Sequence, residues 1–340
     1  MYNVLGAALV AGLITILLTP ALIKVLRRLG VGQRIREDGP QAHFSKAGTP
    51  TMGGVLIVLG TTIGYLVMSQ RTPDGLLVMG TMIACGLLGF LDDFIKIRKK
   101  RSLGLKPWYK ILGQVMIAFG FAMVATRVCG LPPKLSFIGE IGVSMSWLFF
   151  VWIFIMIIGT SNAVNLTDGL DGLAAGAVLM VMAAYMLIAF TMFRRPELYE
   201  YFSGAPALDI AIICGAVLGA CVGFLWWNAA PARLFMGDTG SLALGGVLAA
   251  VALMTRTQLL LLVLGGLFVL EALSVIIQVG VFKITGGKRV FRMAPIHHHF
   301  ELKGWSEFTV MVRLWIICGF CVLVGFTMFY ADFVHMSPGP

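Results

Sequence analysis

Hydrophobic residues occur along this chain in ten long runs that are separated by short polar segments. The runs cover residues 3–23, 53–69, 75–91, 110–126, 145–160, 171–192, 207–227, 239–255, 258–283 and 310–333. Most approach or exceed the about 20 residues that a helix needs to cross the hydrocarbon core of a bilayer. The pattern predicts an all-α, polytopic integral membrane protein with about ten transmembrane helices. The ninth run contains the pair Gly265-Gly266, so it is the run that we expect to bend.

The composition agrees with this pattern and excludes a soluble globular protein. Of the 340 residues, 59% are hydrophobic and only 12% are charged, whereas soluble proteins carry about 25% charged residues. We expect residues 1–340 to form a single transmembrane domain, because no internal repeat or low-complexity segment divides the chain. The first run has no basic segment before it and is long enough to span, so a cleavable signal peptide is not expected.

The distribution of basic residues predicts the orientation in the membrane. Most of the 26 lysines and arginines lie in alternate connections, chiefly at residues 24–46, 96–110 and 283–313. Connections rich in Lys and Arg stay in the cytoplasm, so both termini are predicted to be extracytoplasmic. The net charge of +10 follows from this topology and favours an anionic lipid or phosphate partner. Nucleic acid is not needed to explain it.

The aspartates next to the runs are candidates for chemistry. Asp92 and Asp93 follow the third run, at a predicted helix C-terminus, where the helix dipole disfavours a carboxylate by about 0.3–1 kcal/mol. One interpretation is a solvated helix end that is neutralised by the basic residues after it. Because capping cannot explain two adjacent acids, a metal site, a general base or a nucleophile is favoured.

Residues 160–172 hold two amides and two carboxylates, on Asn162, Asn165, Asp168 and Asp171, and no basic residue. Asp168 and Asp171 have the spacing of a capping box for the sixth helix, with Asp in place of Glu. Capping does not account for the two asparagines just ahead of them. The alternative is that the segment forms the polar floor of a site on the cytoplasmic face.

A third polar segment, residues 226–241, precedes the eighth run. Asp238 is either the N-cap of the eighth helix or part of a Gly-Asp-Thr-Gly turn, whose N–H groups suit phosphate and whose carboxylate suits Mg²⁺. Phe235 either stacks on a nucleobase or anchors the loop at the interface.

A fourth polar group lies in and after the ninth run. His297, His298 and His299 are consecutive and cannot all point the same way, so hydrogen bonds to phosphate or to catalytic carboxylates suit them better than a zinc site. Glu271 and Gln278 are seven residues apart, on one helix face. An intramembrane acid is a functional candidate, although Glu271 has the alternative of a helix contact, and Gln278 is the preferred site residue.

Four segments carry a family resemblance: Leu91-Asp92-Asp93-Phe94, Asn162-Ala-Val-Asn165-Leu-Thr-Asp168-Gly-Leu-Asp171-Gly, Phe235-Met-Gly-Asp238-Thr-Gly-Ser241 and Ala294-Pro-Ile-His297-His298-His299-Phe-Glu. Together they resemble the polyprenyl-phosphate N-acetylhexosamine-1-phosphate transferases. The resemblance covers the whole chain, including Lys46-Ala-Gly-Thr-Pro-Thr51 before the second helix. The Pro-Ile-His-His-His-Phe-Glu stretch is typical of the muramoyl-pentapeptide branch.

The resemblance implies an enzyme of the bacterial cytoplasmic (inner) membrane, with its active site on the cytoplasmic face. It would transfer phospho-MurNAc-pentapeptide from UDP-MurNAc-pentapeptide to undecaprenyl phosphate, with Mg²⁺ as cofactor, and give UMP and lipid I for peptidoglycan synthesis. Residues 1–340 would then be one transferase domain, and a homodimer is expected.

Site roles follow as hypotheses that the resemblance strengthens. The catalytic candidates are Asp92, Asp93, Asp238 and His298, with Asp238 as the Mg²⁺ ligand. The substrate-binding candidates are Lys46, Thr51, Lys96, Lys110, Asn162, Asn165, Asp168, Asp171, Asn228, Phe235, Ser241, Gln278, His297 and His299. Direct attack by the lipid phosphate and a covalent phospho-aspartate both remain open.

Two other functions compete with this one. A related transferase would use UDP-GlcNAc or another UDP-sugar in the same reaction. A secondary transporter also has buried acids and glycine-broken helices, but its ionisable groups lie near the midplane, whereas the acids here lie at predicted helix ends.

Overall fold

A computed structural model describes residues 1–30, 32, 48–99, 104–199 and 202–336. Within these ranges the chain forms twelve helices and one hairpin. The elements are α1 (Tyr2–Arg28), α2 (Gly54–Met68), α3 (Pro73–Arg98), α4 (Pro107–Arg127), β1 (Lys134–Ser136), β2 (Glu140–Ser144), α5 (Leu148–Thr167), α6 (Leu173–Arg194), α7 (Gly204–Asn228), α8 (Gly237–Met254), α9 (Leu260–Leu264), α10 (Gly266–Ile284), α11 (Ile296–Glu301) and α12 (Glu307–Met336).

The predicted all-α, polytopic membrane fold is confirmed. In the described part of the chain, nine helices are long and apolar enough to cross a membrane, and α2 is a shorter apolar helix. The ninth run breaks at Gly265, between α9 and α10, where the bend was expected. The extracytoplasmic position of both termini stays a prediction.

Helices α3 and α5 extend about two turns past the hydrophobic runs that predicted them. Helix α3 continues to Arg98 and α5 continues to Thr167. Asp92 and Asp93 therefore lie within the last two turns of α3, not beyond its end. The two asparagines of the 160–172 segment are helical as well. Polar side chains ended the runs in sequence, but the helices continue because these side chains have partners on the same helix or on neighbouring ones.

The hairpin β1–β2 was not predicted from the sequence. Its strands pair antiparallel, with Lys134 opposite Ser144 and Ser136 opposite Glu140. Glu140 accepts from Lys134 Nζ at 2.6 Å and from Arg256 Nη1 at 2.9 Å. These ion pairs fasten the hairpin to the chain that follows α8.

Helices α7 and α8 form the centre of the fold. Their apolar spans are 83% and 89% buried, whereas those of α1 and α12 are each 28% buried. The outer helices expose leucines, such as Leu5, Leu9 and Leu13 of α1. An apolar exterior around a buried bundle is the arrangement that lipid solvates.

The close approach of α3 and α8 determines where the acidic residues meet. Helix α8 packs mainly against α3 and α5. At Gly89 of α3, an added Cβ atom would overlap the backbone carbonyl oxygen of Asp238. The missing side chain lets the two backbones touch one turn from Asp92 and Asp93. The acidic end of α3 therefore lies against the N-terminus of α8.

A second polar network lies at the opposite end of α3. The fully buried carboxylate of Asp209 on α7 accepts from Gln70 N at 2.9 Å, Thr72 N at 2.7 Å and Thr72 Oγ1 at 2.9 Å. It ties the turn between α2 and α3 to α7. Because Thr72 precedes α3 and Asp92 lies near its end, this network is separate from the acidic cluster.

Gly89→Ala should destabilise the protein, because the new methyl group must push α3 away from α8. Overpacking of this kind costs about 1–3 kcal/mol. The measurement is the thermal unfolding midpoint in detergent. The matched control is Gly80→Ala, on the same helix, where an added Cβ meets nothing within 4 Å. Its midpoint should stay the same or rise slightly, and equal midpoints for both variants would contradict the expectation.

Candidate active site

Three carboxylates meet where α3 approaches the start of α8. Asp92 and Asp93 come from α3 and Asp238 from α8, and oxygen atoms of all three lie within 4.8 Å of one another. Asp92 and Asp93 are each 3% exposed, and the side chain of Asp238 is 17% exposed. Like charges this close and this buried need nearby cations.

Two lysines supply that positive charge. Lys96 Nζ lies 2.6 Å from Asp92 Oδ2, 3.4 Å from Asp93 Oδ1 and 3.1 Å from Asp238 Oδ2. Lys110 Nζ, from α4, lies 2.8 Å from the same Asp238 oxygen. Three carboxylates thus face two ammonium groups. The cluster keeps one negative charge in excess when all five groups are ionised.

Asp93 binds the N-terminus of α8. Its Oδ1 accepts from Asp238 N at 3.2 Å, and its Oδ2 accepts from Thr239 N at 3.0 Å and Thr239 Oγ1 at 2.8 Å. The first N–H groups of a helix have no partner within that helix. A carboxylate from another helix therefore satisfies them and interacts favourably with the helix dipole. Asp92 instead accepts from Leu105 N at 2.8 Å.

Gly237 is needed at the turn before Asp238. Its φ is 73°, in the left-handed region that favours glycine. An added Cβ would also lie 2.6 Å from Asp93 Oδ2 and 3.0 Å from Thr51 Oγ1. The predicted site residue Thr51 therefore lies beside the cluster. N-capping by Asp238, the alternative interpretation of the sequence, is wrong, because Met236 is at the N-cap position and the first N–H groups of α8 are bound by Asp93 from α3.

Amide side chains of α5 connect the cluster to its surroundings. Asn165 Nδ2 donates to Asp238 Oδ1 at 2.9 Å and to Ser241 Oγ at 2.7 Å. Asn162 Nδ2 donates to Gln114 Oε1 at 3.1 Å, and Gln114 Nε2 donates to Ser161 Oγ at 2.9 Å. The amides thus hold α4, α5 and α8 together beneath the carboxylates.

The turn between α5 and α6 carries Asp168 and Asp171, and neither caps α6. Helix α6 begins after Gly172 with no side-chain cap, so the capping interpretation is wrong. Asp171 Oδ2 accepts from Ala232 N at 2.9 Å, and its own N–H donates to Glu307 Oε1 at 3.1 Å. Burial raises the pKa of Asp168 well above its usual value, and the charges of Asp238, Asp93 and Asp171 raise it further.

Two predicted substrate-binding residues hold loops in place. Asn228 is buried; its Oδ1 accepts from Gly172 N at 3.0 Å and its Nδ2 donates to Leu234 O at 2.9 Å. Gln278 Oε1 accepts from the N–H groups of Val290 and Phe291 at 3.0 and 2.9 Å. Each amide therefore has backbone partners, because a buried side-chain amide must satisfy both its ends.

The three histidines point to three different partners, as the sequence predicts. His297 is fully buried and its Nδ1 lies 3.0 Å from Glu271 Oε2. His298 Nδ1 lies 2.7 Å from Glu301 Oε2. His299 Nδ1 accepts from Arg292 N at 3.0 Å. The pKa of His299 is lowered by burial and by the charges of Lys303 and Arg292, which favours its neutral form.

Two further candidates are Phe235 and Lys46. Phe235 is half-buried, and its backbone bonds Pro50 O and Gly53 N at 2.8 Å each, next to the cluster. Lys46 lies outside the described residues.

Sequence reasoning assigned no role to Gln114, Thr239 or Glu307, which the structure brings into this network. Gln114 was recognisable as a lone amide in an apolar run, and Thr239 as the neighbour of Asp238. Glu307 had only its place at the start of the last run.

Comparison with known proteins agrees with the motifs. The glycosyl transferase family 4 model matches residues 75–256, and phospho-N-acetylmuramoyl-pentapeptide-transferase signature 1 matches residues 46–58. A phospho-N-acetylmuramoyl-pentapeptide-transferase of Streptomyces avermitilis is 51% identical over 97% of this chain and 98% of its own length. The one of Thermobifida fusca is 49% identical over 98% and 99%, and that of Frankia casuarinae 51% over 100% of both chains.

The raised pKa of Asp168 predicts how stability depends on pH. The folded protein holds this proton more tightly than the unfolded chain, so the contribution of Asp168 to stability is lost as pH rises from 3.8 through the folded pKa. Asp168→Asn should therefore gain stability over the wild type at pH 8, and the gain should vanish near about pH 4. The measurement is the unfolding midpoint at each pH.

The control for this experiment is Glu197→Gln, in an exposed pair with Arg195 at 3.4 Å. Because an exposed ion pair contributes little to stability, its midpoint at pH 8 should stay close to that of the wild type. Parallel curves for Asp168→Asn and the wild type would show that Asp168 titrates normally.

Proposed function

The chain belongs to the phospho-N-acetylmuramoyl-pentapeptide-transferases, within glycosyl transferase family 4, and we propose from this that it makes lipid I. It transfers phospho-MurNAc-pentapeptide from UDP-MurNAc-pentapeptide to undecaprenyl phosphate and releases UMP. This is the first membrane step of peptidoglycan synthesis.

The observation that carries the proposal is the cluster of three carboxylates and two lysines at the contact of α3 and α8. Phosphoryl transfer depends mainly on positioning the reactants and on neutralising the charge that builds up on phosphate oxygens. A cluster of mixed charge at a helix end, with apolar helices behind it, suits one substrate from the cytosol and one from the lipid phase.

The carboxylates fit a magnesium ion. Mg²⁺ binds hard oxygen ligands, usually one or two carboxylates together with substrate phosphates. The excess negative charge of the cluster favours a divalent cation, and we assign Asp238 as its main ligand with Asp92 and Asp93 beside it. When bound, Mg²⁺ would neutralise the pyrophosphate and stabilise the leaving UMP.

The lysines neutralise phosphate groups. Lys96 and Lys110 are partly exposed, with side chains 29% and 17% accessible. Their ammonium groups can therefore meet a substrate while they remain near Asp238. Lys46 keeps the same proposed role on the evidence of the sequence.

Asp92 is the better candidate for the base. Both oxygens of Asp93 accept hydrogen bonds from the backbone at the start of α8. Asp92 Oδ2 instead pairs with the ammonium group of Lys96, a side chain that is 29% exposed and can turn to a substrate phosphate. In the proposed step Asp92 takes the proton of the lipid phosphate. An oxygen of that phosphate then bonds to the β-phosphorus, the bond from this phosphorus to the bridging oxygen breaks, and UMP leaves with the electron pair.

Other residues shape the site around this step. Asn165 and Ser241 orient Asp238, and Asn162 braces α5 against α4. Asn228 and Gln278 hold the loops on which Phe235 and the histidines lie, and Phe235 is the candidate for contact with uracil. His298, with Glu301, remains a candidate acid–base group, and His299 a candidate for sugar or phosphate.

The basic connections favour the inner membrane with the active site on the cytoplasmic face and both termini outside. A homodimer, which the family resemblance implies, is part of the proposal. Light scattering of the purified protein in detergent would show it as two chains per particle.

Substrate choice and sidedness can be tested together. Purified protein with undecaprenyl phosphate should release UMP from UDP-MurNAc-pentapeptide and much less from UDP-GlcNAc. Inside-out membrane vesicles should react without permeabilisation, whereas right-side-out vesicles should need it. Equal turnover of both sugars would favour the related UDP-sugar transferase, and activity of intact right-side-out vesicles would place the site outside.

Asp92→Asn, Asp93→Asn and Asp238→Asn should each lower kcat by about a hundredfold or more, as loss of a single electrostatic stabiliser does. Asp238→Asn should also weaken binding of Mn²⁺, a paramagnetic substitute for Mg²⁺, in a spin-resonance titration. Asp93→Asn should in addition lower the unfolding midpoint, because it weakens the contact with α8.

Asp74→Asn is the matched control, at the opposite end of α3 from the cluster. Its turnover and Mn²⁺ binding should equal those of the wild type. Wild-type turnover in any of the three cluster variants would remove that residue from the mechanism.

A further inference from the structure

A buried glutamate–histidine pair connects α10 to α11. Glu271 and His297 are both 0% exposed, and His297 Nδ1 lies 3.0 Å from Glu271 Oε2. Glu271 Oε1 and His297 Nε2 have no hydrogen-bond partner among the described residues. Two unpaired buried atoms on one pair are costly, so the pair calls for an explanation beyond helix packing.

The glutamate determines the tautomer of the histidine. Opposite an ionised carboxylate, which can only accept a hydrogen bond, Nδ1 of His297 carries the hydrogen. In the neutral ring, Nε2 is then left as an acceptor. Glu271 therefore fixes both the rotation of the ring and the side on which it has a lone pair.

The free nitrogen of His297 points at the turn between α5 and α6. A Cβ atom added at Gly169 would overlap His297 Nε2. The ring is therefore pressed against the backbone of Gly169, next to Asp168. No side chain larger than hydrogen fits there while the ring keeps its position.

This turn is part of the electrostatic environment of the carboxylate cluster. Asn165, about one helical turn before Asp168, donates to Asp238 Oδ1 at 2.9 Å, so the turn follows directly from a residue that binds the cluster. On its other side, Asp171 is held by Ala232 N and Glu307. His297 supplies the support on the Gly169 side.

We propose that Glu271 is a positioning residue: through the Nδ1–H of His297 it holds the ring against Gly169 and so keeps the Asp168–Asp171 turn in place beside the cluster. The proposal rests on the proposed transferase function. It gives the intramembrane acid a role that neither the motifs nor the relatives assign.

The test is a double-mutant cycle on kcat for UMP release. Glu271→Leu removes the acceptor and should lower kcat by about tenfold or more, since a misplacement of about 1 Å costs up to a hundredfold. Glu271→Gln keeps an acceptor and should stay within about threefold of the wild type. Because both residues act through one contact, Glu271→Leu should change kcat by less than about twofold in a His297→Asn background.

Two measurements separate positioning from loss of folded protein. Calorimetric titration with UDP-MurNAc-pentapeptide should give the same number of sites per chain in every variant. The spectrum of ¹⁵N-histidine protein, which has five histidines, should contain an Nδ1–H signal that both His297→Asn and Glu271→Leu remove. A signal of His298 beside Glu301 is distinguished from it, because these two variants leave it in place. Ser274→Ala is the control on the same helix, since Ser274 Oγ bonds only the backbone oxygen of Glu271, and its kcat should be unchanged.

Additive effects of Glu271→Leu and His297→Asn, or equal losses for Glu271→Gln and Glu271→Leu, would overturn the proposal. So would a ¹⁵N spectrum of the wild type without the Nδ1–H signal. That spectrum does not depend on turnover. A wild-type protein that shows the signal but releases no UMP would therefore refute the proposed function and not the pair.

Discussion

The contact of Asp93 with the first turn of α8 is the interaction on which the site depends. The first N–H groups of a helix have no partner within that helix, and where they are buried another part of the protein must bind them. Asp93 does so from α3. The contact fixes Asp238 beside Asp92 and Asp93, and the resulting density of negative charge requires Lys96 and Lys110 nearby. The contact between Asp93 and α8 therefore both holds the two helices together and places the carboxylates of the candidate active site.

Much of the fold was predictable from the sequence, because long apolar segments identify the spanning helices of a membrane protein. Each hydrophobic run became a helix, and the break at Gly265 followed from paired glycines. Asp92 and Asp93 were recognisable as candidates for chemistry, because capping cannot explain two adjacent acids at a helix end in so apolar a chain. Helix ends were predicted less well. Asp92 ended the third run and Asn162 lies just past the fifth, but their partners Lys96 and Gln114 satisfy these side chains within the continuing helices α3 and α5.

The sequence could not show which group each polar side chain binds. A polar residue in an apolar run must be satisfied, yet the run does not say by what. Asn228 and Gln278 were predicted to contact substrate, and the structure adds backbone partners that the sequence did not indicate. Contact of either amide with substrate stays a prediction. The hairpin β1–β2 was not predicted either, because Glu140 pairs with Arg256, a residue far from it in sequence.

Comparison of the two buried acidic networks shows what distinguishes a supporting carboxylate from a reactive one. Asp209, at one end of α3, is fully buried, and its carboxylate accepts hydrogen bonds from donors that belong to the fold itself. Asp93, at the other end, makes the same kind of bond to a helix start. Around Asp93, however, two further carboxylates and two partly exposed lysines are present. A stable fold needs the first arrangement only. The surplus charge at the second end adds nothing to helix packing, and it is the part of the structure that an anionic substrate and a divalent cation can use.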